Sequence, residues 1–134
     1  KSNTKYDIIL MIEVQENFHD LESIYKQLFN LVNDNSLIIF SALNSNSIKY
    51  RLREILKVHH LYPGVKSYEI YNQMLLNSGW EIIDIYGFNW LPFKVNSNSI
   101  FVPIFIWFEK IFKLNKYVQK SPELLYCARK INCG

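Results

Sequence analysis

A chain of 134 residues with 49% hydrophobic and 16% aromatic content is long enough for one domain with a real core and too apolar to stay disordered. A net charge of +3, with no block of five or six Lys or Arg, leaves no nucleic-acid footprint, and no apolar run reaches the roughly 18 residues that a membrane-crossing helix needs. The expectation is a soluble, cytoplasmic, single domain over residues 1–134, with room for natural sequence upstream of Lys1 because no Met, and no cationic and apolar leader, opens the chain.

Tyr6 to Met11 is an apolar run broken only by Asp7, the pattern of a central parallel strand with both faces covered. Two carboxylates at i and i+3, Glu13 and Glu16, follow it. Leu21, Ile24, Tyr25, Leu28, Leu31 and Val32 then recur at helical spacing, with Asp20 as N-cap and Glu22 and Lys26 as an i,i+4 pair. Asn33-Asp34-Asn35 reads as a turn and residues 36–41 as a second buried strand, so the first 41 residues form a βαβ unit. Residues 46–58 make an amphipathic helix whose Lys49, Arg51 and Arg53 either face solvent or meet an anionic acceptor. After His59-His60 and the Pro63-Gly64 turn, Ser67 caps a helix that stops at Gly79.

Residues 81–88 read as a strand ending in a bend at Gly87. Residues 100–114 form a helix that is apolar almost all round, with Pro103 tolerated in its first turn. At that length it cannot cross a bilayer, although with the basic helix before it, it leaves peripheral membrane contact open. Residues 124–131 are the last strand. Cys127 and Cys133 lack the spacing and the histidines of a zinc site and read as free thiols, so no metal is expected.

In an open α/β sheet ligands collect at the carboxyl ends of the strands, which directs attention to Glu13 and Glu16. Two acids could also serve as the acid and base of a glycosidase, or simply complement a helix dipole. His59 and His60 are the best acid-base candidates, set against a surface or structural role. Trp90 and Trp107 belong to an aromatic segment, 90–112, with more apolar side chains than one buried helix face uses, and so are candidates for the wall facing an apolar acceptor.

Tyr6-Asp7-Ile8-Ile9, then Glu13-Val14-Gln15-Glu16-Asn17-Phe18 and Asp20, resembles the fourth-strand segment of class I S-adenosylmethionine-dependent methyltransferases of the small-molecule type. In that family an aromatic-Asp-hydrophobic strand runs into Glu-Val-Leu-Glu-His-Val; here Gln15 stands for the Leu and Asn17 for the His. The resemblance continues through the turn at Asn44, through Ser78-Gly79-Trp80, Trp90-Leu91-Pro92 and the Ala128-Arg129-Lys130 ending, and it covers only the second half of the family's domain. No glycine-rich cofactor loop is present.

The resemblance implies a partial Rossmann-like methyltransferase sheet of class α/β: parallel strands, a final antiparallel pair inserted beside the second strand, and helices on both faces. It implies S-adenosylmethionine as cofactor, with Met11, Ile12, Glu13 and Glu16 beside its methionyl part, and Asn44, Arg51, Trp90 and Trp107 toward a small-molecule or lipid-like acceptor. A chain with half of the cofactor contacts should bind it weakly, and the strand at 6–11 should show an apolar edge open to self-association. A non-catalytic interaction domain on a partial methyltransferase fold and a membrane-surface module are the other readings.

Overall fold

The computed structural model describes residues 5–56, 64–90 and 101–131. Strand β1 (Tyr6–Met11) leads through a short 3-10 turn at Gln15–Asn17 to helix α1 (Leu21–Leu31) and the long strand β2 (Val32–Leu43). Helices α2 (Ile48–Ile55) and α3 (Tyr68–Asn77) precede β3 (Trp80–Phe88), and α4 (Val102–Ile111) with two further 3-10 turns precedes β4 (Glu123–Lys130).

Local chemistry explains the boundaries. The Asp20 carboxylate accepts the Ser23 amide at 3.0 Å and starts α1, and the Ser67 hydroxyl accepts the Ile70 amide at 3.4 Å and starts α3. Ser47, which the sequence pattern does not single out as a cap, does the same for α2 by accepting the Tyr50 amide at 3.2 Å. Gly79 takes a φ of +87° after α3, where a Cβ would stand 2.7 Å from the Phe29 ring. The Lys26 ammonium meets Glu22 at 2.7 Å as the i,i+4 spacing requires.

The four strands form one sheet in the order β1-β2-β4-β3. β1 and β2 are parallel, with Ile9 opposite Ile38 and Met11 opposite Phe40. β4 is antiparallel to both β2 and β3, so it alone runs against the other three. This is the expected α/β arrangement: a parallel unit with a final antiparallel pair inserted beside its second strand.

One face of the sheet is closed. Ile38, Phe40 and Ala42 of β2 and Leu124, Tyr126 and Ala128 of β4 are buried there under Leu21, Tyr25, Tyr71 and Leu75 of α1 and α3. Phe40 stacks on Tyr126 with ring centroids 4.7 Å apart and touches Tyr25 from the other side at 5.5 Å. Trp80, fully buried, sets its edge against Phe29 and donates its indole N–H to the Tyr25 carbonyl at 3.1 Å. An indole without that partner would carry an uncompensated buried donor.

Three expectations change. β1 is an edge strand rather than a central one: among the described residues nothing pairs with its outer side, and Tyr6, Ile8 and Leu10 are more than half exposed. Helices flank both faces as expected: α1 and α3 close one, and α4 fronts Tyr86 and Gly87 on the other, where Ile8, Leu10 and Tyr86 remain exposed. The Asn33-Asp34-Asn35 triplet is not a turn but the start of β2; Asn35 absorbs the irregularity at φ +63°, and the Asn33 amide ties to Asp7 at 2.8 Å across the pair. Gly87, read as a terminal bend, lies inside β3 opposite Leu124.

Candidate functional site

The carboxyl ends of β1 and β2 meet the 3-10 turn. After Met11 the chain passes Ile12 and kinks at Glu13, whose φ of +55° is unusual for a residue with a Cβ. The left-handed conformation costs about 1–2 kcal/mol, and an anchor holds it: the Glu13 amide donates to the Ser41 hydroxyl on β2 at 2.8 Å. This kink and the turn after it set Glu13, Glu16 and Asn17 around a cavity of about 340 Å³, completed by Ser41 and Leu43 from β2 and Glu123 from β4.

Among the described residues three carboxylates and no cationic side chain line that cavity, and their field favours a cationic ligand. Glu13 and Glu16 are legible from spacing alone. Ser41 and Glu123 are not: Glu123 arrives because β4 pairs it opposite Leu43, a contact between residues 80 positions apart with no local signal. The Asn89 side-chain amide donates to the Glu123 carboxylate and orients it.

Beneath the turn lies Gln15, fully buried, its amide oxygen accepting the Tyr25 hydroxyl and its amide nitrogen buried without a hydrogen-bond partner among the described residues. Its polar head thus fastens the turn to α1. The turn is clamped from above by Gly64, which donates its amide to the Glu16 carbonyl at 2.9 Å. A Cβ on Gly64 would lie 2.4 Å from the Gln15 carbonyl oxygen and 2.6 Å from that of Phe18. Gly64→Ala must therefore push the turn away, with an expected loss of about 2–3 kcal/mol. Thermal unfolding measures it; an unchanged melting temperature would mean that the turn yields freely.

The other candidates are dispersed. Asn44 is fully buried, and its side chain donates to the carbonyls of Gln119 and Ser121 at 3.0 and 2.9 Å while accepting the amides of Asn46 and Tyr68 at 3.1 and 3.2 Å. That uses its whole capacity, leaving no polar atom for a substrate. Arg51 is exposed on α2. Trp90 is half-buried and lines a second, apolar cavity of about 370 Å³ with Ile48, Phe112, Leu114, Tyr117 and Lys120; its indole N–H is buried without a partner among the described residues. Trp107 is 57% exposed on α4 and is not part of that lining. Met11 is half-buried and Ile12 exposed, both at the approach to the carboxylate cavity. His59, His60 and Cys133 lie outside the described residues, and Cys127 is a free thiol in β4. Near the apolar cavity, burial and the neighbouring Arg53 hold the Lys49 ammonium below its ordinary pKa, and burial pushes the Glu109 carboxyl above its own.

No family model matches the sequence, and no curated protein is similar to it at the level of sequence. Solved structures are similar in fold. An S-adenosylmethionine-dependent methyltransferase from Thermotoga maritima, described as a possible histamine N-methyltransferase, superimposes with a TM-score of 0.61 at 13% identity over 96% of this chain and 57% of its own. A methyltransferase of the same cofactor class from Archaeoglobus fulgidus gives 0.60 at 17% identity, over 95% and 60%. The plantazolicin methyltransferase BamL, solved with a triazolic desmethylPZN analogue and SAH, gives 0.52 at 19%, over 95% and 54%. The fold is that of a class I methyltransferase, and the chain spans a little over half the length of these structures.

Proposed function

We propose that this chain is the C-terminal portion of an S-adenosylmethionine-dependent methyltransferase domain that acts on a small-molecule or lipid-like acceptor. The observation that carries the reading is the carboxylate-lined cavity at the carboxyl ends of the parallel strands β1 and β2. Its chemistry suits the cationic methionyl end of the cofactor: Met11, Ile12 and Glu13 would flank that end, with Glu16 beside them. Nothing comparable among the described residues would cradle the adenosyl part.

The cofactor supplies an already activated methyl group. What remains for the chain is to exclude water, orient the acceptor and take a proton where the acceptor is a hydroxyl or amine. His59 or His60 is proposed for that proton. The cavity around Trp90 offers an apolar bed with the Lys120 ammonium at its wall, suited to an acceptor with an apolar body; Arg51 and Trp107 are proposed to meet it nearer the surface.

Calorimetry tests the reading. The chain alone is expected to show no micromolar affinity for S-adenosylmethionine, and supplying an upstream segment with a glycine-rich loop should restore it. In that restored protein Glu13→Ala should weaken binding at least about tenfold, or about 1.4 kcal/mol. Micromolar binding by the chain alone would refute the half-site. No binding after restoration would favour the non-catalytic interaction domain, the reading that the missing loop supports.

A further inference from the structure

Helix α4 turns its most apolar side outward. Advancing 100° per residue, Trp107, Ile111, Ile104, Phe108, Phe101 and Phe112 fall on one continuous arc, and each is between 42 and 60% exposed. Within it Trp107 meets Phe108 edge-on at 5.3 Å, and Phe108 stacks with Phe112 at 6.0 Å. The opposite side of the helix, with Ile106, Glu109 and Lys110, fronts a cavity against Tyr86 and Gly87 of β3.

Charge accompanies this arc. Lys113, Lys116 and Lys120, in the chain after the helix, are all exposed, and the one acid in residues 101–120 is Glu109, which interacts with Trp90 and Lys49. We infer that α4 and the lysine-bearing chain after it dock on the surface of an anionic phospholipid bilayer. The aromatic and aliphatic arc would enter the headgroup boundary, while the lysines, on flexible stems, would reach phosphate and carboxylate groups around it. A ten-residue helix is about 15 Å long and lies along such a surface rather than crossing it. The buried core of a protein interface is depleted in lysine, which favours the bilayer as the occupant. The position also matters: α4 sits by β3, at the sheet edge opposite β1, so a strand added to the open side of β1 would not cover it.

Flotation of the full chain with vesicles of phosphatidylcholine containing about 30 mol% phosphatidylserine tests this, against pure phosphatidylcholine. Binding is expected to the anionic vesicles, at least about tenfold weaker to the neutral ones, with a blue shift in tryptophan emission that Trp107→Phe removes. Ile104→Ser with Phe108→Ser, and separately Lys113→Glu with Lys116→Glu, should each cut binding at least about tenfold without lowering the melting temperature, because all four side chains are exposed. No flotation, or flotation that survives either pair of substitutions, overturns the inference. So does a dimer that ignores vesicles and is dissociated by Ile104→Ser with Phe108→Ser, since the arc would then be a protein contact. The assay needs neither cofactor nor turnover, so its outcome stands apart from the methyl-transfer reading.

Discussion

Asn44→Ala is expected to remove about 4 kcal/mol of stability. Four backbone groups depend on this one amide: the carbonyls of Gln119 and Ser121 and the N–H groups of Asn46 and Tyr68. At about 1 kcal/mol for each lost bond, with a further penalty for any donor left dry, the sum approaches the whole stability of a typical small domain. Asn44→Asp should do no better, because a carboxylate keeps the two acceptor contacts and turns oxygen against the two carbonyls. Denaturant unfolding reads the effect as a lower midpoint at unchanged slope. A variant that kept its midpoint and lost only acceptor affinity would return Asn44 to the substrate.

The second large effect is alkaline. Three buried phenols, Tyr25, Tyr71 and Tyr126, line the closed face of the sheet, and burial pushes each above the ordinary tyrosine pKa of about 10, Tyr71 to about 12. The unfolded chain releases these protons near pH 10 while the folded chain holds them. The stabilisation is therefore fully present below pH 10 and is lost as pH rises toward 12, at about 1.4 kcal/mol per pH unit for each such group. Phenolate absorbance should rise in two stages: exposed tyrosines among the nine titrate reversibly, and the three phenols of the closed face ionise only together with loss of the near-ultraviolet circular dichroism. Smooth titration of all nine with that signal intact would mean that the closed face admits water.

Legibility in the sequence follows the range of the interactions involved. Asp20 and Ser67 as caps, Gly79 as a helix stop and Glu22 with Lys26 as a pair act within four residues, and all are legible. The apolar runs of β1 and β2 point to their parallel pairing, but burial of β1 on both faces rests on a pattern that an edge strand missing its neighbour shares. Asn33-Asp34-Asn35 looks like a turn because turns and strand irregularities draw on the same residues. In the carboxylate cavity Glu13 and Glu16 can be found from their spacing, whereas Ser41 and Glu123 depend on strand register. Asn44 stands out in the sequence as a turn residue pointing to a substrate, yet in space it is the tie between three loops, because its partners come from segments far along the chain.

The reversed strand β4 has a consequence in time. It is the last of the four described strands to be made, yet it occupies the middle of the sheet, between β2 and β3. As the chain emerges from a ribosome, β3 has no described strand to join until Glu123 and its successors appear, and the Ile38–Ala128 pairing spans 90 residues. Such a long-range closure is slow. On the nascent chain the β1-α1-β2 unit can form early, while Trp80 and the rest of β3 wait unpaired and open to chaperones or proteases. Chains stalled before Glu123 should be cut within β3 by a protease that spares the same strand in the released protein.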